Sequence, residues 1–319
     1  MSIAAIAGWV MATAFRVGAL GALACVLVFP AVKRMWIGYV PVAAGAAAAW
    51  LCVTPVAPVA RARKRLAGRL ASVPEGRFHL ALLCAAAAIQ FLLLLALQPW
   101  PAQDSYYVFR EAKAFVETGR MSPFTYYPPA QTWWYAAFFR LFGANFAAAQ
   151  LSQIPLALAA VALAYRLAKR LAEPVRARAA AVALALYPSF IAYILTTPYY
   201  YYLYVVFLLA MVLLWVSGRG RSPGIIAAFL AGIAGAGAAL TKAVMLVAPL
   251  LTAVFLFAAT GDRRREPGGG GEGSGWPGVV RGLLAFCVGF ALTLAPWVGR
   301  NYRVFGEVVP VCTDRKSVV

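Results

Sequence analysis

The chain is short of charge, and of acid most of all. Only 12% of its 319 residues are charged, with ten Asp and Glu, one histidine (His79) and five cysteines. Soluble domains carry about 25% charged residues. With half that share, and with 63% hydrophobic residues, a water-soluble globule is excluded, and so is a disordered chain. The single histidine and the scattered acids leave little for a resident metal site. The three Asp residues stand at 104, 262 and 314 and form no Asp-x-Asp pair, so a nucleotide-sugar site of the soluble type has no support. Four cysteines (Cys25, Cys52, Cys84, Cys287) sit in apolar runs, as small core residues do, and no disulfide framework is readable.

What the chain has is long, continuous Ala/Leu/Val-rich runs. A lipid-exposed span must satisfy its own backbone hydrogen bonds, which leaves helices and closed barrels. A barrel would alternate apolar and polar residues in short segments, so the expected fold is all-α and polytopic. A span needs about 20 apolar residues. About nine transmembrane helices are expected, near 5–30, 36–60, 78–98, 148–168, 179–196, 199–217, 223–240, 243–260 and 282–299. The seventh and eighth are short, share a connection at Thr241-Lys242, and could be one hairpin that barely crosses. The N-terminal run lacks a basic leader and a clear cleavage site, so it reads as a retained helix. The chain divides into a two-helix extension with a basic cytoplasmic loop, 1–77, and a transmembrane domain, 78–319.

The net charge of +19 lies mostly between the apolar runs, where Lys and Arg set topology and meet membrane lipids; nucleic acid is not an expected partner. Loops 61–77, 169–178, 218–222 and 261–281 are roughly twice as dense in Lys and Arg as the alternate set, which makes them cytoplasmic. The expected location is the cytoplasmic (inner) membrane, multi-pass, with the N-terminus inside. Gly268 to Gly275 is a flexible linker.

The longest connection, 99–147, then faces outward. It holds Asp104, Glu111 and Glu117 and the densest aromatic stretch of the chain. Ser105 to Thr118 reads as an amphipathic helix: Val108, Ala112, Phe115 and Val116 share one face, while Arg110, Lys113 and Glu117 form a polar stripe. Gly119 ends it. Residues 131–143 form a second apolar stretch, too short to span and broken by Arg140, expected to lie in the interface. Glu111 and Glu117 read as solvated or paired on the helix surface.

Five features in order resemble the GT-C glycosyltransferases, in particular the bacterial relatives of dolichyl-phosphate-mannose–protein mannosyltransferases. Asp104 sits just past a helix that opens a large outer loop. Ala112 to Gly119 closes a helix. Tyr127-Pro128-Pro129 precedes an apolar run ending in Leu141-Phe142-Gly143. Leu240-Thr241-Lys242 joins two short helices. Pro296-Trp297-x-x-Arg300-Asn301-Tyr302-x-x-Phe305-Gly306 closes the last span. Together they cover about residues 80–312. The resemblance implies transfer of a sugar from a polyprenyl-phosphate donor to an extracytoplasmic glycan, lipid or protein acceptor, usually with inversion.

That chemistry needs a carboxylate to take the acceptor proton, cations to meet the leaving phosphate, and an apolar groove for the lipid. The resemblance makes Asp104 the catalytic base; its alternative role is a helix N-cap. Lys242 and Arg300 are the phosphate partners, or else headgroup anchors. Lys113, Arg110 and Arg120 are weaker candidates. Tyr127, with its neighbours, lines the sugar or lipid groove or belongs to an aromatic belt. No cofactor is expected, while a divalent metal stays open. Two departures stand out: many relatives carry a second acid near Pro198-Tyr199, and others an Asp-Asp or Asp-Glu pair where Ser105 follows Asp104 here. The resemblance also implies further helices beyond residue 319, so the domain is expected to be truncated. The competing readings are a membrane transporter or lipid flippase, which would place polar groups at mid-membrane depth, and an inactive accessory membrane subunit.

Overall fold

The computed structural model describes residues 64–65, 68–96, 103–122, 127–187, 190, 201–217, 224–254 and 276–312. The fold is all-α, with no strand among the described residues. The expected spans at 5–30 and 36–60 lie outside the described residues, as does nearly all of the 1–77 extension. The other seven apolar runs each hold a helix among the described residues.

The helices are α1 (Glu75–Ala96), α2 (Gln103–Thr118), α3 (Ala130–Phe142), α4 (Phe146–Leu151), α5 (Gln153–Leu171), α6 (Pro174–Ala185), α7 (Tyr201–Val216), α8 (Ile225–Ala239) and α9 (Trp276–Phe305). A 3-10 turn, Ala243–Val247, follows α8 and runs into helix as far as Val254. Among the described residues three stretches are long and apolar enough to cross a membrane: Glu75–Leu95, Phe146–Leu171 and Gly278–Phe305. At 1.5 Å per residue α8 reaches roughly 22 Å, short of a hydrocarbon core of about 30 Å.

Local chemistry sets the breaks between α2 and α4. α2 stops at Gly119, whose φ of 69° suits glycine and whose N–H donates to the Phe115 carbonyl. α3 stops at Gly143, φ 82°, with its N–H on the Phe139 carbonyl. Asn145 then caps α4, its Oδ1 accepting from Ala148 N at 2.8 Å. α4 and α5 follow one another as a single apolar stretch.

Among the described residues three apolar clusters hold the helices together. One joins α7, α8 and α9 through Trp215, Phe286 and Phe290. A second joins α1, α5, α6 and α7 through Phe78, Leu156, Tyr165 and Leu203. The third packs α2 against α3 and α4: Val108, Ala112, Tyr135 and Phe139 are buried, and the Phe109 ring stacks on Phe146 at 4.1 Å. The buried face of α2 is the one its apolar spacing predicts.

The polar contacts fall at two ends. At one, Lys169 pairs with Glu75, and Arg178 donates to the Leu70 carbonyl while lying over the Phe78 ring. At the other, the segment from α2 to α4, the end of α8 and the end of α9 come together.

Candidate active site

α2 begins at Gln103, two residues before the point the apolar spacing gives. Asp104 therefore stands inside the first turn, where the helix dipole favours a carboxylate. Its side chain lies outside the described residues. In the helical register Asp104, Tyr107 and Glu111 follow one row, at i, i+3 and i+7. Tyr107 meets Tyr127 across the loop, ring centroids 6.4 Å apart, and the Arg110 guanidinium lies over the Tyr107 ring at 5.4 Å.

Tyr127 leads through buried Pro128 and Pro129 into α3. The first N–H of α3, on Ala130, donates to the Leu240 carbonyl at 3.0 Å. That bond fastens the Tyr-Pro-Pro segment to the end of α8, next to Thr241 and Lys242. Thr241 is buried, its hydroxyl on the Gly237 carbonyl. Lys242 has extended backbone, φ −146° and ψ 114°, and is half-buried between α8 and the 3-10 turn.

The end of α9 is fixed from several sides. Trp297 is buried, donates its indole N–H to the Val311 carbonyl at 2.7 Å, and meets the Trp133 ring edge-on at 5.6 Å. Asn301 is fully buried and donates to the Val309 carbonyl at 3.0 Å. Arg300 lies over the Trp297 ring at 5.0 Å. Its Nη1 donates to Asn301 Oδ1 at 3.1 Å and its Nη2 to the Ser122 carbonyl at 2.6 Å. Arg300 thus grips the segment that follows α2. Two of its five N–H groups go to these bonds.

Glu111 completes this corner, and the surface role read from its polar position does not hold. It is half-buried. Burial raises its carboxyl above the ordinary value of 4.5, opposed by a hydrogen bond from the Ser122 backbone N–H and by the charges of Arg110 and Arg300. Its Oε2 is buried without a hydrogen-bond partner. Ser122 is therefore held on both sides, its N–H by Glu111 and its carbonyl by Arg300.

The structure brings Tyr127, Lys242 and Arg300 to one end of the molecule, around the start of α3, with α2 beside them. Lys113 is turned away: it is exposed and pairs with Glu117 at 3.8 Å. Sequence reading missed Glu111 and Ser122, and the signal available was the helical row from Asp104 to Glu111. Among the described residues no three His, Cys, Asp or Glu side chains gather where they could hold a metal ion.

Residues 127–267 match the family model described as dolichyl-phosphate-mannose-protein mannosyltransferase. No curated protein and no solved structure matches the chain. The matched segment runs from the Tyr-Pro-Pro turn through α8 and the Leu-Thr-Lys connection. Residues 127–267, less than half of the chain, are thus similar to the dolichyl-phosphate-mannose-protein mannosyltransferases, and together with the apolar helices this supports a membrane glycosyltransferase of GT-C type.

Proposed function

We propose that the chain transfers a sugar from a polyprenyl phosphate to an acceptor hydroxyl on the outer face of the cytoplasmic membrane, with its N-terminus inside. The observation that carries this reading is the hydrogen bond from Ala130 N–H to the Leu240 carbonyl. It joins two segments that are far apart in the chain, Tyr127-Pro128-Pro129 and Thr241-Lys242, at the end of the bundle where Arg300 also stands. One aromatic wall and two cations beside the end of α8 suit a lipid phosphate, whose charge sits at the membrane edge while its chain stays in the bilayer.

In this reading Asp104 takes the proton of the acceptor hydroxyl as its oxygen attacks the anomeric carbon. The bond from that carbon to the phosphate oxygen breaks, and the polyprenyl phosphate leaves with the electron pair and inverted stereochemistry at the sugar. Lys242 and Arg300 meet the charge that grows on the phosphate, a task best done by cations fixed beforehand. Tyr127 flanks the sugar.

Asp104→Asn tests the assignment. The change keeps size and removes the charge that accepts the proton. Transfer from a lipid-linked sugar in membranes should fall about 100-fold or more, the usual scale for a lost general base. Helix and fold should persist, because the dipole contribution of one first-turn carboxylate is about 0.3–1 kcal/mol. Glu117→Gln, on the exposed polar stripe, should leave transfer unchanged. Retention of most activity by Asp104→Asn would move the base elsewhere.

A further inference from the structure

We propose that Glu111 is a positioning residue for Arg300, acting through the backbone of Ser122 to hold the guanidinium where the donor phosphate arrives. The inference rests on the donor reading above and adds a residue to it. Three observations carry it. The Ser122 N–H donates to the Glu111 carboxylate. The Ser122 carbonyl accepts from Arg300 Nη2 at 2.6 Å. The charge of Arg300 also acts on the Glu111 carboxylate, and that of Glu111 on Arg300.

The arrangement is a relay of opposite charges across one residue. The carboxylate on the N–H and the guanidinium on the carbonyl hold the two peptide groups that flank the Ser122 Cα, so the backbone there is fixed from both sides. The remaining freedom of Arg300 is removed by the Trp297 ring beneath it and by Asn301 Oδ1. Asn301 in turn is fixed by the Val309 carbonyl. Of the five guanidinium N–H groups, the three not used in these bonds are the ones a phosphate oxygen could take. If Ser122 drifts, Nη2 loses its carbonyl and the fork loses its aim. The charged groups acting on Glu111 are Arg110 on its own helix and Arg300 from α9.

The test uses the full chain in detergent or nanodiscs. The variants are Glu111→Ala, Glu111→Gln, Arg300→Met and the Glu111→Ala/Arg300→Met pair. Hydrogen exchange of the peptide covering residues 119–127 reads the relay without any substrate. Glu111→Ala and Arg300→Met should each speed exchange there, and the pair should exceed neither single variant by much, since coupled contacts are not additive. Glu111→Gln keeps an oxygen for the Ser122 N–H and should stay near wild type. In the transfer assay, Glu111→Ala should raise KM for a polyprenyl-phosphate sugar roughly tenfold with kcat within about twofold, and should add nothing in the Arg300→Met background. Additive exchange effects would overturn the relay. Coupled exchange with an unchanged donor KM would overturn the positioning role. A wild-type chain inert toward lipid-linked sugars would overturn the donor reading itself, and the exchange data would still decide whether Glu111 and Arg300 act as one unit.

Discussion

Glu111 sets a residue-scale trade between burial and charge. Its carboxyl is raised because burial outweighs the Ser122 N–H and the two arginines. A carboxyl whose folded value lies above its unfolded one binds its proton more readily in the folded state. Its contribution to stability is complete below about 4.5 and is lost as pH rises through the higher folded value. Glu111→Gln has no such proton. The variant should match wild type in thermal stability near the low end and gain on it toward neutral pH. The reverse trend would mean that attraction to Arg300 outweighs burial. The second residue-scale expectation concerns Lys242. Removing a charge-assisted phosphate contact costs roughly 1.5–3 kcal/mol, so Lys242→Met should weaken donor binding about 10- to 150-fold. Unchanged donor affinity would return Lys242 to anchoring. Lys242 could be picked from the chain because it is a lone cation between two apolar runs. Glu111 could not, because its burial comes from a segment beyond the end of its own helix and from α9. The contact from Arg300 to Ser122 spans 178 residues, and no local pattern encodes it.

Elements were readable where one local rule governs them, and misplaced where two compete. Apolar spacing gives the buried face of α2, since Val108 and Ala112 are both inside. It misses the first two residues, because Gln103 and Asp104 are polar and carry no periodic signal. The pairing of α8 with α9 was invisible for a different reason. A β-carbon on Gly232 would stand 2.1 Å from the Phe286 carbonyl oxygen, and one on Gly289 would stand 2.3 Å from that of Phe229. Each glycine lets the opposite backbone in, and only both together allow the helices to touch, as small residues do between membrane helices. Gly282 and Gly299 on the same α9 meet nothing within 4 Å. Gly232→Ala and Gly289→Ala should each cost about 1–3 kcal/mol by forcing the helices apart. Gly282→Ala should be neutral or stabilising by up to about 1 kcal/mol. Thermal unfolding in one detergent compares them directly. Equal melting of Gly232→Ala and wild type would show that the helices can part without loss.

At the scale of the whole molecule, charge and contacts give the same polarity. The Lys169–Glu75 pair and the bond from Arg178 to the Leu70 carbonyl draw the loops around 61–77 and 169–178 to one end. Those are two of the loops that basic-residue density assigns to the cytoplasm. Tyr127, Lys242 and Arg300 stand at the other end. The packing of helix ends groups these loops at one end, and the distribution of Lys and Arg along the chain is what assigns that end to the cytoplasm. Arg120 is exposed at the site end, and Ala172 is exposed in the turn between α5 and α6. Single cysteines at these positions should behave oppositely, once Cys25, Cys52, Cys84, Cys287 and Cys312 have been replaced. Arg120→Cys should react with a membrane-impermeant thiol reagent in intact cells. Ala172→Cys should react only after the membrane is opened. Labelling of both in intact cells would break the link between the two ends and the two faces. Labelling of Ala172→Cys alone would invert the molecule, place the cluster in the cytoplasm, and remove the outer face from the proposed reaction.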